Sequence, residues 1–306
     1  MSGTDGIKVA AFYRFQRLRD LARLRDALEA ACRRRNVLGL LLIAPEGVNG
    51  TLAGQPRVLD AALADIAAIL ETTALEPRES FAARAPFRRL KVRTKAEIVT
   101  MGESGVDPTE RVGVNIDPGG WNALIADPEV VVIDARNAFE VAIGSFAGAV
   151  DPGVESFAAF PAWVRRSLDP ARHRRVAMFC TGGIRCEKAS SFMLQEGFGQ
   201  VFQLRGGILN YLESIPEPLS LWRGGCFVFD ERVAVGHGLR SLDVRLCPSC
   251  DGVVETSDHD SAGYEEGVSC PRCVMRLSEE RKASARERQK QFELAAARGR
   301  SHLKPG

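Results

Sequence analysis

Apolar positions along the first hundred residues switch between the periods of strands and helices. Ile7–Tyr13 is a continuous apolar run and predicts a strand. Leu18, Leu21, Leu24, Leu28 and Ala31 follow at three- and four-residue spacing, so 18–35 predicts an amphipathic helix. Val37–Ala44 reads as a buried strand, and Pro45, Gly47, Asn49 and Gly50 as a turn into a short strand at Thr51–Ala53. Val58, Leu59, Leu63, Ile66 and Leu70 line one side of a helix over 56–70. The extended segment 87–99 carries Arg89, Lys91, Arg93 and Lys95 at period two, which puts four cations on one face.

The resulting order, β-α-β-β-α-β, places two helices over an antiparallel sheet, the ferredoxin-like arrangement. A Gly-, Pro- and Asp-rich stretch over 102–120 reads as a linker. The pattern then changes. Val130–Ile133, Val176–Phe179 and Val201–Leu204 are short, continuously apolar runs, as expected of parallel strands buried on both faces. Helical segments fall between and after them, near 156–167, 186–196 and 207–213, which predicts an α/β domain with a parallel sheet. From about residue 226 the chain turns to paired cysteines and a charged helical tail over 278–298. The expected organisation is therefore a ferredoxin-like domain over 1–101, a linker over 102–120, an α/β domain over 121–225 and a cysteine-rich segment with a basic tail over 226–306.

The chain's 306 residues are 45% apolar and 26% charged, a composition that excludes a largely disordered or collagen-like protein. No apolar run is long enough to span a bilayer, and no apolar core precedes the first charges as in a secretory signal. The net charge of +2 conceals a segregation. Residues 1–100 hold 17 Lys+Arg against 11 Asp+Glu, residues 101–240 hold 13 against 17, and residues 274–306 hold 9 against 4. Two basic ends flank an acidic middle, and a basic face supplies nucleic-acid affinity through phosphate contacts. The candidate phosphate ligands are Arg14, Arg17, Arg19, Arg88, Arg89, Lys91, Arg93 and Lys95; any one of them alone reads as an ordinary solvated charge.

Cysteine carries the chemistry. With no export signal, the paired spacings of the eight cysteines favour metal or thiol chemistry in a reducing cytoplasm over disulfides. A buried strand ends at Cys180, a turn with Gly182 and Gly183 follows, and a helix begins near Cys186. Such a turn aims backbone N–H groups inward at a helix N-terminus, a cradle that favours a thiolate, with Arg185 able to add charge. The competing reading is a buried cysteine before a strand-to-helix turn. Cys186 either resolves an oxidised Cys180 or packs at the helix start. Cys32 reads as a small core residue, and nothing local assigns a role to Cys226.

Cys180-Thr181-Gly182-Gly183-Ile184-Arg185 resembles the active-site loop of rhodanese-like domains, whose cysteine carries a persulfide. Asp134-Ala-Arg136 and Gly144-Ser145-Phe-Ala-Gly148-Ala resemble that family's upstream signatures, with Ser145 at the usual histidine position. Asp134 and Arg136 are thereby candidate helpers. The related cell-cycle phosphatases place one more residue between Cys and Arg, so this loop disfavours phosphate-ester hydrolysis. Across the chain, the blocks at 44–51, 91–102, 180–190 and 226–235 are similar, in order, to those of the bacterial tRNA uridine hydroxylases. The resemblance implies oxygen-dependent formation of 5-hydroxyuridine at the wobble base, position 34 of the tRNA anticodon loop, with Cys180 catalytic. It implies O2 as co-substrate with an unidentified reductant. No dinucleotide fingerprint is present, and His173, His237, His259 and His302 show no spacing for an iron site. A persulfide-carrying sulfurtransferase is the alternative enzyme, and an RNA-binding adaptor the non-enzymatic one. No feature specifies an oligomeric state.

Cys247-Pro-Ser-Cys250 and Cys270-Pro-Arg-Cys273 form two knuckles separated by 19 residues, a spacing that reads as a four-thiolate, structural zinc site. Local disulfides or redox-active pairs are the alternative. The polar residues between the knuckles have no core of their own, so metal binding would contribute to folding.

Overall fold

The structure is a computed structural model that describes residues 6–73, 75–250, 252–254 and 256–297. The chain divides into two compact units, Met1–Ser241 and Leu242–Gly306.

The first unit opens with β1 (Ile7–Phe15), α1 (Leu21–Arg34), β2 (Leu38–Ala44), β3 (Gly47–Gly54), α2 (Pro56–Ile69), β4 (Arg78–Ala82) and β5 (Leu90–Thr94). They build one sheet in the order β4-β1-β3-β2-β5. The antiparallel β4-β1-β3-β2 portion with its two helices is the ferredoxin-like arrangement; β5 is an addition, parallel to β2. Alternation divides the faces. Ala10, Phe12, Leu41, Ile43, Val48 and Leu52 pack beneath Leu28, Cys32, Leu59, Leu63 and Ile66 of the helices. Cys32 is thus a core residue, and the other face of the sheet carries no helix.

Two expectations are corrected. The last strand of the β-α-β-β-α-β set is β4, not the segment 87–99, which narrows to β5. Arg78-Glu-Ser-Phe-Ala was illegible as a strand because an edge strand with one neighbour needs no apolar run. Beyond Thr94 the chain leaves the sheet, and the Glu97 carboxylate accepts the N–H groups of Met101 (3.0 Å) and Gly102 (3.1 Å), closing a local turn instead. The turn expected over Pro45–Gly50 shrinks to Pro45 and Glu46, because Gly47 pairs with Ala44 inside the hairpin. Gly47 has φ +147°, and a Cβ there would collide with the Arg14 carbonyl of the adjacent strand. The glycine permits pairing rather than turning.

A second sheet uses β6 (Val114–Ile116), β7 (Val130–Asp134), β9 (Arg175–Phe179) and β10 (Gln200–Leu204), all parallel, in the order β6-β10-β9-β7. Between them run α3 (Pro118–Ile125), α4 (Ala138–Val141), β8 (Gly144–Phe146), α5 (Phe160–Ser167) and α6 (Ile184–Gln195), and α7 (Gly207–Ser214) follows β10. Both faces are covered. Phe160, Trp163, Ala189 and Phe192 pack on one, and Trp121, Ile208, Tyr211 and Leu212 on the other. Residues 114–116, expected in a linker, are an edge strand of this sheet; three residues are too few to register as a pattern. The chain continues through β11 (Trp222–Gly224), paired with β8, and the hairpin of β12 (Cys226–Phe227) and β13 (Ala234–Val235). Cys226, Val228, Val235 and Leu239 join the core that contains Trp121. Residues 226–241, expected with the cysteine-rich segment, therefore lie in the first unit.

The second unit has the hairpin β14 (Arg245–Leu246) and β15 (Val253–Val254) and the helix α8 (Glu279–Ala297). Residue 298 of the expected tail helix, and His302, lie outside the described residues. Among the described residues no helix is long and apolar enough to cross a membrane.

Candidate active site

The centre of the first unit is the turn between β9 and α6. β9 is buried from Val176 to Phe179 and delivers Cys180 to the carboxyl end of the parallel sheet, where α/β folds place ligands. Gly183 has φ +103° and caps α6. A Cβ there would also meet the Tyr13 hydroxyl at 2.8 Å, so glycine is required twice. The amide of Gly183 donates to the Cys180 sulfur at 3.2 Å. The next strand-to-helix turn pins the loop from behind: Ile208 N–H donates to the Cys180 carbonyl (2.9 Å) and Leu209 N–H to that of Thr181 (3.0 Å).

Burial of the Cys180 sulfur opposes its ionisation. The Cys186 thiol and backbone N–H, the Arg185 guanidinium and the Gly183 N–H outweigh that and bring the pKa down to about 6. Cys180 is therefore a thiolate at neutral pH, the nucleophilic form. Cys186 is the reverse: burial and the neighbouring Cys180 anion push its thiol well up. Cys186 is buried in the first turn of α6 and lies in the same hydrophobic core as Cys180. Arg185 does not point at the Cys180 sulfur. Its guanidinium forks onto Glu140 at 2.6 and 2.7 Å and touches Thr181 Oγ1 at 3.2 Å, so it supports the anion through its field. Burial would raise the Glu140 carboxyl, but Arg185 and Arg136 hold it below the usual carboxylate range.

Asp134 and Arg136 form a fully buried brace behind the loop. Arg136 Nε and Nη2 donate to the two Asp134 oxygens at 2.8 and 2.7 Å, and Nη2 also reaches the Gly144 carbonyl. The Arg136 guanidinium lies over the Trp222 ring at 5.1 Å. Ser145, the departure from the rhodanese signature, donates to Asp134 Oδ2 at 2.8 Å. Cys226 sits near this brace, and burial pushes its thiol up to about 12.

Cys180 lines a cavity of 780 Å³ whose opposite wall is the helix-free face of the first sheet. Pockets that enclose small molecules measure about 300–1,000 Å³. Tyr13, Leu40, Leu42, Asn49 and Thr51 supply the sheet wall, and Arg78 and Arg205 stand at the loop side. The Tyr13 hydroxyl donates to Glu187 on α6 at 2.7 Å, one of several ties between the two sheets. Burial raises the Tyr13 hydroxyl pKa, and burial with the Cys180 charge raises the Glu187 carboxyl. The strongest tie is Lys188. Its ammonium bonds both Glu46 oxygens (2.9 and 2.7 Å), Glu97 (2.5 Å) and the Val99 carbonyl (3.1 Å).

The expected phosphate ligands divide into three groups. Arg17 is paired with Asp107 and Glu110, and Arg88 with Glu231, so neither presents an uncompensated charge. Lys91 and Arg93 stand beside Leu40 and Leu42 in the parallel ladder and so share the cavity-side face of the sheet. Arg14, Arg19, Arg89 and Lys95 are exposed. Sequence reasoning missed Tyr13, Arg78, Glu140, Glu187 and Lys188. The period-two set Ala11, Tyr13 and Phe15 on β1 was the available signal for Tyr13.

The second unit brings Cys247, Cys250, Cys270 and Cys273 together, all four sulfurs within 4.8 Å of one another. Cys247–Cys273 and Cys270–Cys273 stand at 3.8 Å and Cys250–Cys270 at 3.6 Å, with no disulfide formed. Four sulfurs at about 2.3 Å from a tetrahedral zinc ion are separated by about 3.8 Å, so the donor set fits that ion. Cys270 N–H also donates to the Cys273 sulfur at 3.3 Å, as a thiolate ligand requires.

Comparison with known proteins extends these observations. A family profile described as "UPF0176 acylphosphatase like domain" matches residues 7–98, and one described as "Rhodanese-like domain" matches residues 119–214. The chain is 53% identical over 298 residues to a tRNA uridine(34) hydroxylase of Jannaschia sp., covering 97% of this chain and 99% of that one. Proteins of the same name from Caulobacter vibrioides (51% over 303 residues; 97% and 96% covered) and Agrobacterium fabrum (50% over 295 residues; 96% and 94% covered) are similar throughout.

Proposed function

The chain belongs to the tRNA uridine(34) hydroxylase family, and from that premise we propose that it converts uridine at tRNA position 34 to 5-hydroxyuridine. O2 serves as co-substrate, and the catalytic nucleophile is Cys180. The observation that carries this reading is the Cys180 thiolate on the wall of a 780 Å³ cavity, faced by the open sheet of the first ninety-odd residues.

Uracil carbon C6 is electrophilic because it is conjugated with the C4 carbonyl. A thiolate adding there converts C5 into an enolate carbon, and C5 is the atom to be hydroxylated. The Gly183 N–H holds the sulfur in place, and the Cys180–Arg185 loop keeps it anionic. An unstacked anticodon-loop base is accessible to such a cavity, whereas a paired base is not. Lys91 and Arg93, on the same sheet face, are suited to the flanking phosphates. The N-terminal region 1–101 thus acts as the tRNA-holding part and the central α/β region as the catalytic part. The four-cysteine cluster binds zinc in a structural role: with four sulfurs present, no position is open for substrate. The proposed location is the cytoplasm.

The loop alone would also suit sulfur transfer, but a small sulfur donor needs no sheet wall or flanking cations. Mass spectrometry of tRNA nucleosides tests the assignment in a deletion strain rescued with wild type or Cys180→Ala. Wild type restores 5-hydroxyuridine and the variant does not; modification retained by the variant overturns the role of Cys180. Thiosulfate:cyanide turnover by the purified protein, without effect of its deletion on the wobble base, favours the sulfurtransferase.

A further inference from the structure

Hydroxylation through a C6 adduct leaves a proton to be moved. Once C5 carries its oxygen it still carries its hydrogen. The C5–C6 double bond returns only when that hydrogen leaves as a proton and Cys180 departs. The cavity therefore needs a base besides the nucleophile. Among the described residues no histidine, lysine or aspartate lines it. The carboxylates on its wall are Glu76, which is exposed, and Glu187, which is half-buried.

Glu187 stands in the first turn of α6, directly after the Cys180–Arg185 loop. The Tyr13 hydroxyl donates to its Oε1 at 2.7 Å. That hydroxyl also abuts the loop: a Cβ on Gly183 would lie 2.8 Å from it, and the Gly183 N–H is the group that binds the Cys180 sulfur at 3.2 Å. The tie thus sets the carboxylate beside the turn that holds the nucleophile. Among the described residues no donor bonds the other oxygen, Oε2, which is left open to a proton. Burial and the Cys180 charge raise this carboxyl against the Tyr13 hydrogen bond, and a carboxylate drawn towards neutral pH is the better acceptor of a carbon-bound proton.

We propose that Glu187 is the general base that takes the proton from C5 in the last step of the hydroxylation. This rests on the hydroxylase reading above. The step begins from the adduct in which C5 bears the new hydroxyl and its original hydrogen and C6 bears the Cys180 sulfur. Glu187 Oε2 takes the C5 proton, and the C5–H electron pair becomes the second bond between C5 and C6. The C6–S bond breaks, and Cys180 leaves with that pair as the thiolate. Solvent receives the proton from Glu187, and 5-hydroxyuridine is free to go. Nothing is oxidised or reduced in this step, so it draws on no further reagent. Exposed Glu76 lacks the Tyr13 tie that fixes Glu187 beside the loop.

The test rescues a deletion strain with full-length wild type, Glu187→Gln, Glu187→Asp or Glu187→Gln/Cys180→Ala, follows 5-hydroxyuridine in tRNA after induction, and purifies each protein under denaturing conditions. Gln keeps an oxygen for the Tyr13 hydroxyl but cannot take the proton. Glu187→Gln is expected to slow the appearance of 5-hydroxyuridine by about 10²–10⁴-fold. It should also retain tRNA covalently, with 5-hydroxy-5,6-dihydrouridine on the Cys180 peptide. Wild type and the double variant carry no such adduct, and Glu187→Asp, which keeps a carboxylate, releases its tRNA. Wild-type rates from Glu187→Gln, or as much adduct on Glu187→Asp as on Glu187→Gln, overturn the proposal. So does a Glu187→Gln protein that forms neither product nor adduct while iodoacetamide alkylates Cys180 as in wild type, because Glu187 then acts before the adduct. Wild type that fails to restore 5-hydroxyuridine fells the hydroxylase reading itself, and this one with it.

Discussion

Replacing Lys188 with Met tests how the two sheets of the first unit are held together. The ammonium is 2% exposed and lies between two carboxylates that are each 21% exposed. Removing the cation from a buried ion pair costs about 3–5 kcal/mol, because the remaining charge is left uncompensated. Both carboxylates keep some water, so the lower figure applies, about 3 kcal/mol. For a domain of this size each kcal/mol shifts Tm by about 2–4 °C, which gives a fall of about 6–12 °C at pH 7. The loss should itself depend on pH. Burial would raise the Glu97 carboxyl, but Lys188 and the Met101 and Gly102 amides hold it below its ordinary value. A carboxyl depressed by folding contributes stability above its unfolded pKa and loses that contribution as pH falls through its folded pKa. Met at 188 removes the largest depressing partner, so this contribution shrinks. The gap between variant and wild type should therefore be narrower at pH 3.5, below the ordinary glutamate pKa of about 4.3, than at pH 7. Calorimetry at both pH values provides the measurement, and Lys188→Met/Glu46→Gln/Glu97→Gln should recover most of the loss at pH 7. A Tm within 2 °C of wild type at pH 7, or a gap that does not change with pH, would refute a charge-based clamp.

The loop and its surroundings yield further expectations. Alkylation of Cys180 by iodoacetamide should rise with pH around a midpoint near 6, with no such phase in Cys180→Ala; a midpoint near 8.5 would remove the thiolate from the mechanism. Tyr13→Phe deletes a hydrogen bond to a carboxylate, a contact of about 1.5–3 kcal/mol, and should lower kcat/KM by roughly tenfold or more. Unchanged kcat/KM would mean that the Tyr13–Glu187 tie does not position the loop. Lys91→Glu/Arg93→Glu should weaken tRNA binding and flatten the logarithmic salt dependence by about 1–2; an unchanged slope would remove these residues from the phosphate contacts. Metal analysis should find about one zinc per chain, lost in Cys270→Ser with new protease cleavage between residues 242 and 297.

The parts of the site that a single segment encodes were legible in the sequence. Cys180, its glycine turn and the helix after it are contiguous, and the four clustered cysteines of the second unit announce themselves by spacing. The ferredoxin-like and parallel sheets followed from apolar periodicity, because each buries a face. The missing strand, Arg78–Ala82, has one neighbour and polar side chains, so no burial pattern marks it. The distribution of charge misled for a related reason. Arg17 and Arg88 count in a basic total, but Asp107, Glu110 and Glu231 that neutralise them lie at least ninety residues away in the chain.

The cavity was hidden more deeply, because its walls belong to different sheets and only the fold makes them neighbours. Helical geometry shows how three successive residues perform that joining. Side chains leave an α-helix about 100° apart, so Cys186, Glu187 and Lys188 must face three directions. Cys186 faces the core that also holds Cys180, Glu187 meets the Tyr13 hydroxyl on the opposite wall, and Lys188 the Glu46 and Glu97 carboxylates at the hairpin turn and beyond β5. The first turns of α6 thus fix the nucleophile, the cavity wall and the interface between the sheets by one rotation of one helix. A polar trio at the start of a helix reads in sequence as a solvated cap, yet Cys186 and Lys188 are about 1% exposed. Consecutive polar residues that are buried or half-buried require partners on several sides, and here Glu187 and Lys188 find theirs on the first sheet and the turns that border it.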